Sequence, residues 1–207
     1  MRSSTAKPRV RKNPDDRRHE ILTTASQLAL RLGLEKVTMK LVAEHLEVRP
    51  GLISHYFRTI DELLCAAFEQ AATTEREVLF ARDEDMAPGL VPLAAFLQRV
   101  NAPEFVDLGK LWLDARHQSR YRPALRQVVS EQEQLTQQKL TDVIEEAMEH
   151  KDIPRGDAFG VATQILLVVD GAGSYVNTSE PQALAELAPI MQRMAEQALG
   201  LPEGSLG

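Results

Sequence analysis

The chain has 207 residues, 43% apolar and 26% charged, with a net charge of −6 and a single cysteine, Cys65. This composition suits one large or two modest globular domains with a sizeable core and excludes an internal disulfide framework. The longest purely apolar run, Leu63 to Phe68, is too short for a helical membrane span, and no signal-peptide pattern follows the basic start, so a cytoplasmic protein with no membrane partner is expected.

The net charge hides a split. Residues 1–58 hold 12 Lys/Arg against 6 Asp/Glu, whereas residues 59–207 hold 12 against 24. A basic front on an acidic rear is the pattern of a nucleic-acid-binding module on an acidic body, although a solvated basic tail gives the same count.

Residues 1–14 form a basic arm with few large apolar groups, expected to be disordered in isolation. A helix is predicted over 15–33, with Ile21, Leu22, Ala25, Leu28, Ala29 and Leu32 at three- and four-residue steps and Gly33 as its stop. Thr38 is a good N-cap for a short helix whose apolar face is Leu41, Val42, Ala43 and Leu46. A very short link leads to Pro50, at the first position of a third helix with Ile53 and Phe57 as its buried stripe. Asp61 and Glu62 open a long helix to about Arg82, which "DEDMAPG" ends. Further helices are predicted at about 90–100, 104–118, 122–150, 156–173 and 181–199, with Pro189 as a kink or restart in the last. No segment alternates with period two, so the predicted class is all-α: an N-terminal three-helix domain at 15–58 and a larger helical domain at 59–207.

Three short helices, the last two joined by a tight turn, describe a helix-turn-helix. In "VRPGLISHYF", residues 48–57, Ile53 and Phe57 hold the helix to its core while Pro50, Gly51, Ser54 and His55 face outward. A recognition helix must be short and carry small or hydrogen-bonding groups that fit the major groove. Gly51 admits close backbone approach, Leu52 suits a thymine methyl, and the Tyr56 hydroxyl suits a phosphate. Thr38 and Lys40 are placed for a second phosphate. Arg49 is a candidate for a phosphate or base, and Thr59 completes the set of DNA-binding candidates.

The stretch "VTMKLVAEHLEVRPGLISHYFRTIDELLCAAF", residues 37–68, resembles the DNA-binding signature of TetR/AcrR-family transcriptional repressors. The match runs through Thr38, Val42-Ala43, Val48, Gly51, Ile53, His55-Tyr56-Phe57 and Glu62-Leu63-Leu64. "GLISHYF" and "LWLDARHQSRYRPALRQV" are similar, more loosely, to the choline-responsive repressors of glycine betaine synthesis. Two departures stand out. The turn reads Leu46-Glu47-Val48-Arg49 where the family usually has small-Gly-Val-Ser, which removes the flexible residue and the usual cap. Ile60 stands where the family often has a phosphate-contacting Lys, so the basic arm is expected to compensate.

The resemblance implies that residues 59–207 sense a small molecule and dimerise. Residues 158–170 are apolar on nearly every face, and 183–199 carry a stripe of Leu184, Leu187, Ile190, Met191, Met194 and Ala198. Pairing with a second copy as a four-helix interface, or an intramolecular core, would bury them. Candidate ligand-pocket residues are Phe96, Phe105, Trp112, Asp114, Tyr121, Phe159, Asp170 and Tyr175. Asp107, Asp114 and Asp170 lie in apolar company and require a partner, either Arg116 or Arg99 or a cationic ligand boxed by aromatics. No phosphate-binding Gly-rich loop, G-x-S-x-G or H-E-x-x-H is present. Asp114/His117 and Glu146/His150 have helical ligand spacing only as isolated pairs, so no enzyme, metal or cofactor is expected. The predicted function is a ligand-responsive regulator, chiefly a repressor. It would bind a palindromic double-stranded operator as a homodimer and be released by a small-molecule inducer, with a choline-like or polyamine-like cation favoured. The alternative is a ligand-independent DNA-binding regulator or architectural protein.

Overall fold

The computed structural model describes residues 13–175 and 181–207, with the side chains of residues 104 and 181–185 left aside. Most of the basic arm, including Arg2, Lys7, Arg9, Arg11 and Lys12, and the side chain of Leu184 therefore lie outside the described residues. Every regular element among the described residues is helical.

Helix α1 spans Pro14–Leu32; the Asn13 side chain accepts the Asp15 N–H, and Asp15 and Asp16 fill the first turn. It ends at Gly33, where φ is +90°. A Cβ there would sit 2.7 Å from a carboxylate oxygen of Asp114, so conformation and space both demand glycine. After a 3-10 turn, α2 spans Met39–His45, its first turn capped by Thr38 Oγ1 accepting the Leu41 N–H at 3.0 Å. Helix α3 spans Pro50–Tyr56 with proline in its first turn and no side-chain cap.

Helix α4 spans Ile60–Leu79 and stops short of Arg82. The physical reason lies in α5, Leu90–Val100, whose Arg99 donates to the carbonyls of Leu79 and Ala81 at 3.0 and 2.8 Å. Those carbonyls, left without helical partners, are satisfied by the guanidinium. A 3-10 turn at Pro103–Phe105 leads into α6, Val106–Ser119, followed by α7, Pro123–Glu149. Helix α8 spans Ala158–Gly173, with Asp157 capping the Gly160 N–H. Helix α9 runs unbroken over Pro181–Leu199 with Pro189 inside it, so the proline neither splits nor restarts it.

Two apolar clusters hold the chain together. The first packs Ile21, Ala25, Val42, Ile53 and Phe57 against Leu63, Leu64 and Phe68 of α4, Leu111 and Ala115 of α6, and Leu125 and Val129 of α7. The second joins Leu79 of α4 to Leu93, Phe96, Leu140, Ile144, Ile165, Ala195 and Leu199. Helix α4 thus belongs to both, and the apolar core does not break at residue 58. Leu32, expected in the α1 stripe, is 49% exposed. At the other end of the chain, buried Glu196 accepts the N–H groups of Gly204 and Leu206, each at 3.0 Å, and Leu206 seals the second cluster.

Candidate DNA-reading face and ligand cavity

The predicted DNA-reading residues lie at the start of α2, along α3 and at the cap of α4. Thr38, Lys40, Arg49, Pro50, Gly51, Ser54, His55 and Thr59 are exposed, while Leu52 and Tyr56 are half-buried. Ile53 and Phe57 are fully buried and fix α3 to the core beneath. The Arg18 guanidinium lies 5.0 Å from the Phe57 ring centroid, and the His55 and Tyr56 rings meet edge to face at 5.2 Å. Ser54 Oγ donates to Met39 Sδ at 3.4 Å, which ties α3 to the first turn of α2. Thr59 also has a structural duty, accepting the Glu62 N–H at 3.1 Å as the N-cap of α4. Lys40 pairs with Glu44, 3.8 Å away on the solvated face of α2.

Gly51 is informative because nothing inside the chain requires it. A Cβ there would meet no atom within 4 Å, and its φ is ordinary. A helical glycine costs about 1 kcal/mol relative to alanine. No packing contact or backbone constraint among the described residues offsets this.

The turn before α3 keeps the geometry that a glycine would supply. Glu47 has φ of +52°, the left-handed region, in a non-glycine residue. Val48 N–H bonds to the Ala43 carbonyl at 2.9 Å and closes the turn. The absent cap is equally visible, since Arg49 makes no side-chain bond to the start of α3.

A cavity of about 430 Å³ opens within the body. Phe96, Phe105, Trp112 and Asp170, four of the eight predicted pocket residues, line it. The other four do not. Asp114 points away from it and accepts the Leu34 N–H at 3.0 Å. Tyr121, Phe159 and Tyr175 are 71%, 56% and 55% exposed, on the outer surface of the chain. Aromatic character identified them in sequence, but Phe159 falls on the outward phase of α8, and Tyr121 and Tyr175 lie in turns beyond the ends of α6 and α8.

Sequence reasoning missed the cavity's most unusual group, Glu75 on α4. The indole N–H of Trp112 donates to it at 2.7 Å. Burial, against the lowering pull of that bond, pushes its carboxyl up to about 7. The signal was present: Phe68, Ala72, Glu75 and Leu79 step by four, three and four along α4, so Glu75 falls on the inward stripe. Arg116 joins Glu133 and Asp170 at 2.8 Å each and lies 5.2 Å from the Trp112 ring centroid. Arg116, one of two predicted partners, thus answers Asp170; Arg99 answers backbone carbonyls, and Asp107 pairs with Lys110 at 3.1 Å. Partial burial still lifts the Asp170 carboxyl above its ordinary range, against the Arg116 guanidinium. Among the described residues no three His, Cys, Asp or Glu side chains converge on a metal-sized site, and Glu146 is engaged by Arg82. No described helix is long and apolar enough to cross a membrane.

No curated protein matches the chain. Solved structures match its fold over nearly its whole length. A transcriptional regulator from Saccharomonospora viridis in complex with choline is 20% identical, with a TM-score of 0.76 over 88% of this chain and 96% of that one. A TetR-family transcriptional regulator from Rhodococcus sp. is 22% identical, with a TM-score of 0.71 over 87% and 99%. The multidrug-binding protein EbrR, complexed with proflavin, is 20% identical, with a TM-score of 0.61 over 86% and 99%. Residues 21–67, which contain α2, the turn and α3, match the family described as bacterial regulatory proteins, tetR family. Residues 21–67 thus match the tetR family of bacterial regulatory proteins, and most of the chain shares the fold of the solved regulators it is similar to.

Proposed function

We propose that the protein is a ligand-responsive repressor that binds a palindromic operator as a homodimer and leaves it when a small organic cation occupies the cavity. The observation that carries this reading is the continuity of α4. Leu63, Leu64 and Phe68 of this helix lie in the core of the reading head, while Glu75 and Leu79 form part of the cavity wall. A ligand against that wall acts on the element that carries α3.

The charge of the cavity favours a cation. Its lining includes Glu75, Glu133 and Asp170 against the single guanidinium of Arg116, with Trp112, Phe96 and Phe105 as apolar walls. Two of the similar structures hold choline and proflavin. Dimerisation is supported by apolar side chains left uncovered on the last two helices: Phe159 and Leu167 on α8, and Ile190 and Met194 on α9. A second copy placed across these faces buries them and sets two α3 helices side by side. Successive major grooves on one face of DNA lie about 34–36 Å apart, so a shift of a few ångströms in that spacing abolishes binding. A ligand achieves this by binding the mismatched spacing more tightly than the matched one.

The test has two steps. Selection from genomic fragments yields the operator, and choline, betaine aldehyde and polyamines are then titrated against the protein–operator complex. Release by a cation supports the reading. Release only by a neutral or anionic metabolite removes the cation and leaves the repressor, while absence of any preference among duplexes removes the regulator.

A further inference from the structure

The three carboxylates of the cavity are not equivalent. Glu133 on α7 and Asp170 on α8 share the guanidinium of Arg116 on α6. Glu75 on α4 has no ion pair among the described residues; its hydrogen bond comes from the neutral indole of Trp112. The nearby Arg76 is turned instead to Gln132, with its Nη1 2.9 Å from the amide oxygen. The remaining walls near Glu75, Phe96 of α5 and Met191 of α9, carry no charge. A carboxyl so placed is the cavity's one acid without a counter-ion, and an isolated buried charge is costly until something pairs with it.

We propose that Glu75 is the anchor for the ligand, the carboxylate partner of a small organic monocation, an amine or quaternary ammonium, beside Trp112. This rests on the cationic reading of the cavity. The exchange balances in charge, since one cation enters and one proton leaves from a Glu75 oxygen to solvent. Arg116 attracts Glu75 only at longer range, because its hydrogen bonds go to Glu133 and Asp170. The pairing also reaches the reading head directly, since Glu75 belongs to α4 whereas the other charged lining residues belong to α6, α7 and α8.

The burial that lifts the Glu75 carboxyl to about 7 places the exchange within reach of ordinary buffers. Where only the ionised fraction binds, apparent affinity scales with that fraction, so it rises about tenfold between pH 6 and pH 8. Asp170 also lies in this cavity with its carboxyl raised by burial, so the contribution of Glu75 is isolated by substitution. Trp112 is the sole tryptophan and donates to Glu75, so all tryptophan fluorescence reports on the site.

The experiment follows tryptophan fluorescence of the full chain during titration with tetramethylammonium, choline and spermidine, and with 3,3-dimethylbutan-1-ol, the neutral isostere of choline. Titrations run at pH 6 and pH 8 on the wild type, Glu75→Gln and Glu75→Asp, with helical circular dichroism verifying that each variant folds. The expected result is about tenfold tighter binding of a cation at pH 8, with no pH dependence for the neutral isostere. Glu75→Gln should lose at least about tenfold at pH 8 along with the pH dependence, and Glu75→Asp should keep the pH dependence. If a cation binds Glu75→Gln as tightly as the wild type and with the same pH dependence, Glu75 is not the anchor although the cavity still takes cations. If the neutral isostere binds the wild type as well as choline does, or no cation binds, the cationic reading falls and the anchor falls with it.

Discussion

The carboxylate of Asp114 on α6 accepts the backbone N–H of Leu34, 3.0 Å away, and so joins the cavity-lining helix to the turn between α1 and α2. Leu34 is fully buried, so the bond satisfies a donor that solvent cannot reach. Asp114→Ala should therefore destabilise the fold by about 1–3 kcal/mol, the usual effect of orphaning a buried donor. Asp114→Asn, which keeps an acceptor, should cost less. Gly33→Ala should also destabilise, because its Cβ would meet Asp114 while φ stays at +90°. Urea midpoints of the three variants decide this; an Asp114→Ala variant as stable as the wild type removes the structural role of the bond.

Glu47 holds a left-handed conformation, which costs a non-glycine residue about 1–2 kcal/mol. Glycine reaches the same φ freely but gives up some stability through the entropy of the unfolded chain. Glu47→Gly should therefore be more stable than Glu47→Ala, which loses the same side-chain interactions, by about 0.5–1 kcal/mol in urea unfolding. An equal loss for Glu47→Gly and Glu47→Ala would show that the left-handed backbone is not the source of strain.

Much of this architecture was legible from local chemistry. Thr38 as a cap, Gly33 as a stop and Pro50 as a helix start each follow from the backbone groups a helix leaves unsatisfied. The end of α4 was not legible, because its last carbonyls are answered by Arg99, some twenty residues on. The cavity was half legible. Aromatic type pointed to Phe96, Phe105 and Trp112, but to Tyr121, Phe159 and Tyr175 as well, since residue type alone says neither which side of a helix faces inward nor which residues fall in turns beyond its end. Glu75 was hidden for the opposite reason: a charged residue in "TTEREVL" reads as solvated, although its phase along α4 placed it inside.

At Gly51 stability and DNA binding should part company. Alanine fits there without contact and is the better helix former, so Gly51→Ala should raise the unfolding free energy by up to about 1 kcal/mol. If α3 reads the operator as proposed, the same methyl would stand between α3 and base edges, so operator affinity should fall and sequence preference should change. Tyr56→Phe, which removes only a hydroxyl, should instead weaken binding to all duplexes alike. Equal operator affinity for Gly51→Ala and the wild type would place the reading surface elsewhere.

The pH dependence of stability should carry the signature of Glu75. Its carboxyl titrates near 7 in the folded chain and near 4.5 when unfolded, so between these values the folded state holds a proton that the unfolded state releases. Stability is therefore fullest below about pH 4.5 as far as this group is concerned, and falls as pH rises through 7. The whole difference is at most about 3 kcal/mol, at 1.36 kcal/mol per pH unit, and solvent entering the cavity reduces it. Glu75→Gln cannot ionise and should remove this slope. It should match the wild type near pH 5 and exceed it at pH 8, in the absence of any ligand. Saturating tetramethylammonium at pH 8 should narrow the gap by stabilising only the wild type, through selective binding to its folded state. Urea unfolding of both proteins at pH 5, 6, 7 and 8 measures the difference curve. A curve that is flat across that range means that Glu75 is already ionised in the empty cavity.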